Sequence, residues 1–317
     1  MVLNPSKILD EINAKKLDVE NGIDQLITLI ENSSDRKLRL DCLKILKLLN
    51  NTSQKIYYLL ENLLISDADE QIRAYCARYL RQHLIKNAFS PIKWALNYEK
   101  DYFPQIEIIR TLARLETKEA KKLLLGELKK LLTQNFIDVH NRYSNQKFIS
   151  SMEKMLKTHD LNQLSISKIG DILINHKTIA YLIKKFFFVY FKWENGLISE
   201  LDLSDLGWNV SKSWEFISTK KISNLTEIPE LMNLQYLKKL NLSNNNLENV
   251  KDLMNLKNLQ SLIIRKNQLK DVKNIRYLKK MSHLKFLDLK GNLIASSIRK
   301  EEFSNVNLIL KDYLINT

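Results

Sequence analysis

The sequence contains little glycine, proline or cysteine. Its 317 residues include six glycines, four prolines and two cysteines. The sequence therefore has too little glycine and proline for glycine-rich phosphate loops or long proline-rich linkers. Cys42 and Cys76 are too few for a disulfide framework or a cysteine-based zinc site. We expect both to be small core residues of packed helices, without a redox role.

Motifs that carry catalysis are also missing from the sequence. No Gly-x-Ser-x-Gly, His-Glu-x-x-His or Walker-type segment occurs. The histidines show no metal-ligand spacing such as His-x-x-x-His; they are His83, His140, His159, His176 and His283. We therefore expect no catalytic residues, no cofactor and no metal ligands, and a protein that is not an enzyme.

No hydrophobic run is long enough to cross a membrane. The most apolar stretch, residues 179–191, is interrupted by Lys184 and Lys185 and is far shorter than a membrane span. The first residues are charged and lack the apolar core of a secretory signal. Together with the cysteine usage, these features predict a soluble cytoplasmic protein without a transmembrane segment.

The positive charge is concentrated near the C-terminus. The formal net charge is +14, and residues 251–317 carry 14 Lys and Arg against six Asp and Glu. Two interpretations remain open: general use of lysine on solvated surfaces, or a surface that binds an acidic partner. The candidate basic patch comprises Lys266, Lys270, Lys273, Arg276, Lys279 and Lys280.

A leucine-containing pattern recurs in the C-terminal third. The spacing Leu-x-x-Leu-x-Leu-x-x-Asn-x-Leu begins at Leu237, Leu259 and Leu284, with isoleucine replacing leucine twice. It resembles the leucine-rich repeat in its short 22-residue class, over about residues 197–300. The aliphatic positions predict short strands that point inward, and Asn245, Asn267 and Asn292 should form a ladder to the backbone of adjacent coils. Apolar period three over residues 247–256 predicts a short helical or 3₁₀ return.

An earlier copy of the pattern departs from it. Ile198, Leu201 and Leu203 match, but Leu206 stands where asparagine is expected. This unit is longer because of an insertion at residues 209–224, which contains Trp214 and Phe216. Two interpretations of the insertion stay open: a protruding contact loop, or an irregular stretch folded against the convex side.

Both ends of the repeat array have candidate caps. Asn195-Gly196 separates two β-rich runs, and this dipeptide predicts a hairpin because both positions tolerate positive φ. The hairpin should cover the first end of the leucine stack with Phe187, Val189, Phe191 and Trp193. The amphipathic segment of residues 296–314 should close the other end.

The N-terminal half has helical periodicity. One apolar face contains Leu38, Cys42, Ile45, Leu46 and Leu49, and a second, 34 residues on, contains Ile72, Cys76, Tyr79, Leu80 and His83. Asp35 and Asp69 precede these faces, and Arg39 and Arg73 follow their first positions. A looser copy spans residues 109–132. The pattern resembles HEAT repeats, over about residues 20–135, and this resemblance implies paired helices stacked into an α-solenoid.

The two resemblances define the predicted organisation. The fold class is α plus α/β solenoid: HEAT-like helical repeats followed by a short leucine-rich array with a β-hairpin N-cap. Residues 1–135 form the helical repeat domain, residues 136–185 a helical bridge, and residues 186–317 the leucine-rich domain with both caps. Residues 136–185 show no repeat register, so they either continue the helical array or join it to the leucine-rich array.

Residues between the inward-facing aliphatic positions should face outward on the concave sheet. Four strands then supply three columns: Glu200, Lys239, Ser261 and Phe286; Asp202, Asn241, Ile263 and Asp288; Ser204, Ser243, Arg265 and Lys290. Exposed apolar residues beside charges are typical of a protein-binding face. The predicted partner-binding residues are Lys239, Asn241, Ser243, Ser261, Ile263, Arg265, Phe286, Asp288 and Lys290.

These observations predict a non-catalytic adaptor or regulatory scaffold. Its partner is expected to be a protein, including one with an acidic surface, bound through concave repeat surfaces. The alternative is a nucleic-acid-binding module that uses the basic patch. Charge alone does not choose between phosphate, an anionic membrane and an acidic protein, although the scarcity of aromatic residues in the patch weakens the case for base stacking.

Overall fold

A computed structural model describes residues 4–133, 161–186, 189–206, 208–210, 216–218 and 221–311. The chain forms two compact units. The helical unit comprises Met1–Leu128 and Ser165–Gly170, and the sheet unit comprises Lys129–Leu164 and Asp171–Thr317. A helical part thus precedes a part built on strands, as the periodicities predict.

The helical unit is built from paired helices. Helix α2 packs on α3, α4 on α5, and α6 on α7; α3, α5 and α7 are neighbours in one layer, and α4 and α6 in the other. The helices are α1 (Pro5–Asn13), α2 (Val19–Asn32), α3 (Arg36–Leu48), α4 (Gln54–Ser66), α5 (Glu70–His83), α6 (Phe89–Tyr98), α7 (Tyr102–Leu115), α8 (Lys118–Thr133) and α9 (Ile166–Lys185).

The 34-residue offset corresponds to α3 and α5. Asp35 and Asp69 are the N-cap residues of these helices, and each carboxylate accepts hydrogen bonds from two backbone N–H groups of the first turn. The predicted apolar faces point into the core, apart from Leu38, Leu49 and His83, which are only half-buried.

Both cysteines are buried and free, as predicted. Burial raises the pKa of the Cys42 thiol to about 11 and also raises the pKa of Cys76. The reactive thiolate form is therefore disfavoured at neutral pH. Cys42 and Cys76 serve as small packing residues of α3 and α5.

The sheet unit contains a six-stranded sheet in the order β1-β2-β5-β6-β7-β8. The pair β1–β2 is antiparallel, and the four pairs that follow are parallel. The strands are β1 (Tyr190–Glu194), β2 (Leu197–Asp202), β3 (Trp208–Val210), β4 (Phe216–Ser218), β5 (Lys239–Asn241), β6 (Ser261–Ile263), β7 (Phe286–Asp288) and β8 (Asn307–Ile309).

The hairpin predicted at Asn195-Gly196 joins β1 to β2. Asn195 has φ +51° and Gly196 φ +78°, the positive values that a tight two-residue hairpin turn requires. Val189 is buried in the core of the unit, and Phe191 and Trp193 pack against it. The capping prediction is confirmed for these three residues, while Phe187 lies outside the described residues.

The asparagine ladder is confirmed. Nδ2 of Asn267 donates to the carbonyls of Leu242 at 3.0 Å and Ile264 at 2.9 Å, one in the preceding coil and one in its own. Asn245 and Asn292 make the equivalent pairs of bonds. These buried amides satisfy carbonyl groups that the leucine core would otherwise leave unpaired.

The returns between strands are helical, as predicted. Residues Pro229–Asn233 and Lys251–Asn255 form 3₁₀ helices. The return that is three residues longer forms an α-helix, α10 (Lys273–Lys279). One face of α10 is buried through Asn274, Ile275 and Leu278, so its cationic side chains point to solvent.

Three segments add to or differ from the predicted organisation. The insertion contains an antiparallel pair, β3–β4, which neither interpretation of it included; residues 211–215 and 219–220 lie outside the described residues. The C-terminal segment closes the sheet with β8, parallel to β7, and with buried Phe303. Of the segment predicted as a bridge, 136–160 lies outside the described residues; α9 is assigned to the helical unit as far as Gly170 and to the sheet unit from Asp171.

In the ranges that the structure describes, none of the helices combines the length and hydropathy needed to cross a bilayer.

Candidate functional site

Strand register brings the predicted columns together. Glu200 pairs with Lys239, Lys239 with Ser261, and Ser261 with Phe286. The second column aligns in the same way, from Asp202 to Asp288. Strand β8 extends the two columns with Asn307 and Ile309. The sequence pattern missed this strand because the leucine and asparagine spacing ends at Ile294.

Two of the predicted partner-binding residues are not exposed. The side chains of Ser243 and Asp288 are buried, with 1% and 6% of their surface accessible. The expectation that both face solvent is therefore wrong. Lys239 and Arg265 are exposed, and the other predicted residues are half-buried: Asn241, Ser261, Ile263, Phe286 and Lys290.

The second column has a structural task that explains this burial. Oδ1 of Asp288 accepts a hydrogen bond from the backbone N–H of Lys290 at 3.0 Å. Asp202 and Asn241 make the same bond to the residue two positions on, and the Ser243 hydroxyl also donates to Asn241. Asp and Asn at such positions form Asx turns, so these side chains stabilise the turns at the ends of the strands.

In each of these turns, one residue adopts the left-handed backbone conformation. Asp205, Asn244, Lys266 and Gly291 each lie three positions after the last residue of β2, β5, β6 or β7, and each has a φ between +52° and +74°. A Cβ added to Gly291 would lie 3.3 Å from the backbone nitrogen of Lys266. The turns therefore stack closely, one coil on the next.

At the end of the sheet that begins with β1, the charged side chains form ion pairs with one another. The carboxylate of Glu200 forms ion pairs with Lys192 and with Lys239, each at 2.8 Å. Hydrogen bonds from these two ammonium groups lower the pKa of Glu200 from its ordinary value. Lys239 is thus partly compensated, which reduces what it can offer to an acidic partner.

The other end of the face is apolar and basic. Ile263, Phe286 and Ile309 are half-buried on the successive strands β6, β7 and β8, with Phe286 diagonal to the other two. Arg265 is exposed beyond the end of β6. The arrangement offers an apolar contact flanked by a guanidinium group, a combination found at the centres of protein interfaces.

The basic patch lies on the turns and on α10, away from the strands. All six of its residues are exposed. Lys279 pairs with Glu302 at 3.1 Å, and Lys273 lies 3.9 Å from Asp271. The remaining four form no ion pair with any residue that the structure describes: Lys266, Lys270, Arg276 and Lys280. The patch therefore retains an excess of positive charge.

Other possible sites offer less. A groove of about 610 Å³ between α1 and α3 is lined by residues that include Pro5, Leu9, Leu38 and Ile45. Over the described ranges, no group of three or more His, Cys, Asp or Glu side chains is placed to hold a metal ion. Comparison with known proteins matches the chain to no family model and to no curated sequence. The sheet face and the basic patch are therefore judged on their own geometry.

Proposed function

We propose that this chain is a non-catalytic, cytoplasmic adaptor that binds a protein partner on the exposed face of its sheet unit. In this proposal the helical unit is a HEAT-like α-solenoid and the sheet unit is a short leucine-rich repeat array. Repeat arrays of both kinds present extended surfaces built from equivalent positions of successive units. Function is then a property of those surfaces.

Equivalent contacts in successive units support the repeat assignment. Arg39 and Arg73 lie 34 residues apart, and each pairs with an aspartate 28 residues further on. In the sheet unit, Asn245, Asn267 and Asn292 occupy one ladder. Recurrence of the same contact at the same offset is what stacking of similar units produces.

One observation carries the binding proposal. Ile263 and Phe286 lie diagonally on the neighbouring strands β6 and β7, and both side chains are half-exposed on the face of the sheet. Arg265 lies two residues beyond Ile263, past the end of β6, and is exposed. The matching partner presents an apolar side chain beside a carboxylate, since burial of apolar surface supplies affinity and charge selects the partner.

The test compares proteins captured by three versions of the full chain. The face variant carries Phe286→Ala and Arg265→Ala, and the control carries Leu48→Ala at an exposed position of α3. We expect one set of proteins to be retained by the wild-type chain and the control and lost by the face variant. The free energy of unfolding should change by no more than about 1 kcal/mol in either variant. Identical capture by all three chains would refute the proposal.

Nucleic-acid binding remains the second candidate because four cations of the basic patch have no described counter-charge. A protein that neutralises several phosphates loses affinity steeply as salt increases. Changing Lys270, Lys273 and Arg276 to Glu should then abolish binding of RNA or duplex DNA at physiological salt. Such a result, with an unaffected face variant, would favour this candidate over the adaptor.

A further inference from the structure

The turns and returns of the sheet unit carry two aliphatic side chains on the surface. Val272 is 56% exposed and Leu293 is 66% exposed. Isolated exposed apolar residues are common and need no explanation. These two, however, lie in neighbouring coils that also carry the residues of the basic patch.

Hydrogen bonds between the coils fix this proximity. The N–H of Ile294 donates to the carbonyl of Leu269 at 3.1 Å, and the N–H of Leu269 donates to Oδ1 of Asn292 at 3.3 Å. Leu293 is therefore held beside the chain at Leu269, which is followed by Lys270 and Val272. Val272 is also the N-cap residue of α10.

Cationic residues lie near the two aliphatic residues along the chain and in the adjacent coil. Lys266 lies against Gly291, two residues before Leu293. Lys273 and Arg276 lie on the solvent side of α10, which begins directly after Val272, and Lys280 is the exposed C-cap residue of this helix. Two carboxylates form ion pairs here: Asp271 lies 3.9 Å from Lys273, and Glu302 lies 3.1 Å from Lys279. Of the five cations, only Lys273 forms an ion pair with a described residue, so the surface retains an excess of positive charge.

We infer that this surface, Val272 and Leu293 with Lys266, Lys270, Lys273, Arg276 and Lys280, binds the headgroup region of an anionic lipid bilayer. Lysines attract anionic headgroups as point charges, while aliphatic side chains enter the boundary between headgroups and acyl chains. Nucleic acid fits less well, because the surface offers aliphatic side chains where base stacking requires aromatic ones. The surface uses different residues from the sheet face, so it does not rest on the proposed adaptor function.

The experiment measures sedimentation of the full chain with lipid vesicles. One set contains phosphatidylcholine alone, and the other contains about 30% phosphatidylserine, both in about 0.1 M salt. We expect sedimentation only with the phosphatidylserine vesicles and a decrease as salt is added. Failure to sediment with either set, or equal sedimentation with both, would overturn the proposal.

Two variants separate the apolar contribution from the electrostatic one. Val272→Ser with Leu293→Ser should lower the partition coefficient onto the phosphatidylserine vesicles about tenfold. Serine has no apolar side chain to insert between the headgroups and the acyl chains. Lys270→Gln with Lys273→Gln should lower it about 25-fold, at about fivefold for each charge. All substituted residues are exposed, so the melting temperature should not change and a loss of binding cannot be attributed to unfolding.

Matched controls lie in the helical unit. Leu48→Ser changes another exposed leucine, and Lys118→Gln with Lys122→Gln removes two other exposed charges. These controls should sediment like the wild-type chain. If they lose as much binding as the surface variants, attraction is a general property of a basic protein and the proposal is wrong. If only the lysine variants matter and RNA or duplex DNA competes with the vesicles, the partner is a nucleic acid and the proposal is also wrong.

Discussion

The helical unit and the sheet unit hold their neighbouring segments together with different chemistry. In the helical unit, long charged side chains connect one helix pair to the next. In the sheet unit, neutral amides of asparagine bind the backbone of adjacent coils. Ionic contacts depend on both partners staying charged, whereas amide contacts do not. The two units should therefore differ in how they respond to substitution and to acid.

Arg73 illustrates the ionic mode. Its guanidinium group binds Glu99 at 2.7 Å and Asp101 at 2.5 Å, and it also donates to the carbonyls of Asp67 and Ala68. Arg73 and Glu99 are both almost completely buried. Arg39 occupies the equivalent place one unit earlier and binds Asp67 and the carbonyl of Ile30. Each arginine thus fastens the beginning of one helix to the loop of the next pair.

Glu107 of α7 is a second ionic centre. Its buried carboxylate binds Arg78 at 2.9 Å, Arg81 at 2.5 Å and Arg110 at 2.9 Å. Arg78 and Arg81 belong to α5, so a single carboxylate joins two neighbouring helices. Burial alone would raise the pKa of Glu107, but the three guanidinium groups outweigh burial and lower it.

The amide mode is represented by the asparagine ladder and by one further buried asparagine. Besides the predicted ladder, Asn274 of α10 is fully buried, donates to the carbonyl of Glu248 at 3.1 Å and accepts from the N–H of Val250 at 3.0 Å. The sequence pattern missed Asn274, because it lies in a return and has no equivalent at the 22-residue offset. Neutral donors and acceptors avoid the cost of burying a charge.

The largest expected effect is at Asn267. Asn267→Leu keeps the branched shape of the side chain but leaves the N–H of Leu247 without its buried partner. It also removes one of the two side-chain bonds to each of the carbonyls of Leu242 and Ile264, which keep those from Asn245 and Asn292. The unpaired N–H costs about 1 to 3 kcal/mol and each of the two lost bonds about 1 kcal/mol, so the free energy of unfolding should fall by about 4 kcal/mol. Urea titration of the full chain provides the measurement. Asn258→Leu, at an exposed asparagine that makes one bond to Gln235, is the control and should cost no more than about 0.5 kcal/mol.

Arg73→Leu should be the most damaging single change in the ionic network of the helical unit. It leaves the buried carboxylate of Glu99 without its counter-charge, and breaking such a pair costs about 3 kcal/mol. Arg36→Leu is the matched control, since Arg36 is exposed and lies 3.8 Å from Asp69. The control should change stability by less than about 1 kcal/mol. Equal effects of the two substitutions would mean that burial does not strengthen these contacts.

Acid should weaken the helical unit before the sheet unit. Burial opposes the ionised form of Glu99, but hydrogen bonds from Arg73 and from two backbone N–H groups prevail, so its pKa lies below the ordinary 4.5. The same holds for Glu107. Their stabilisation is complete above pH 4.5 and is lost as pH falls through the lowered values. The buried asparagine amides do not titrate.

Hydrogen exchange at decreasing pH, corrected for intrinsic rates, measures this difference. Amides of α5 and α7 should lose protection first, while those of β5 to β7 remain protected. Glu200 in the sheet unit also has a lowered pKa, but it lies at the surface, where its contribution is screened. Simultaneous loss of protection in the two units would contradict the comparison.

The parts of the fold that were predictable are those that local patterns encode. The leucine and asparagine spacing specified the strand register and the asparagine ladder, and Asn195-Gly196 specified the hairpin. Burial of Ser243 and Asp288 could not be predicted, because it depends on local turns in which Asp288 accepts from the N–H of Lys290 and the Ser243 hydroxyl donates to Asn241. Strand β8 and the β3–β4 pair lie outside the repeat pattern. The partners of Arg73 are 26 and 28 residues away on other segments, so no local pattern reveals them.

The smallest expected effect is at Lys266, whose backbone conformation is strained. Lys266 has φ +52°, which costs a residue with a Cβ about 1 to 2 kcal/mol, and glycine avoids that cost at the equivalent Gly291. Glycine loses about 0.5 to 1 kcal/mol more than other residues in conformational entropy, so Lys266→Gly should stabilise the sheet unit by about 0.5 to 1 kcal/mol. Lys257→Gly, at an exposed turn position without positive φ, carries only the entropic cost and should destabilise it. Urea titration of both variants gives the sign, and a loss of stability in both would show that the turn after β6 holds lysine without strain.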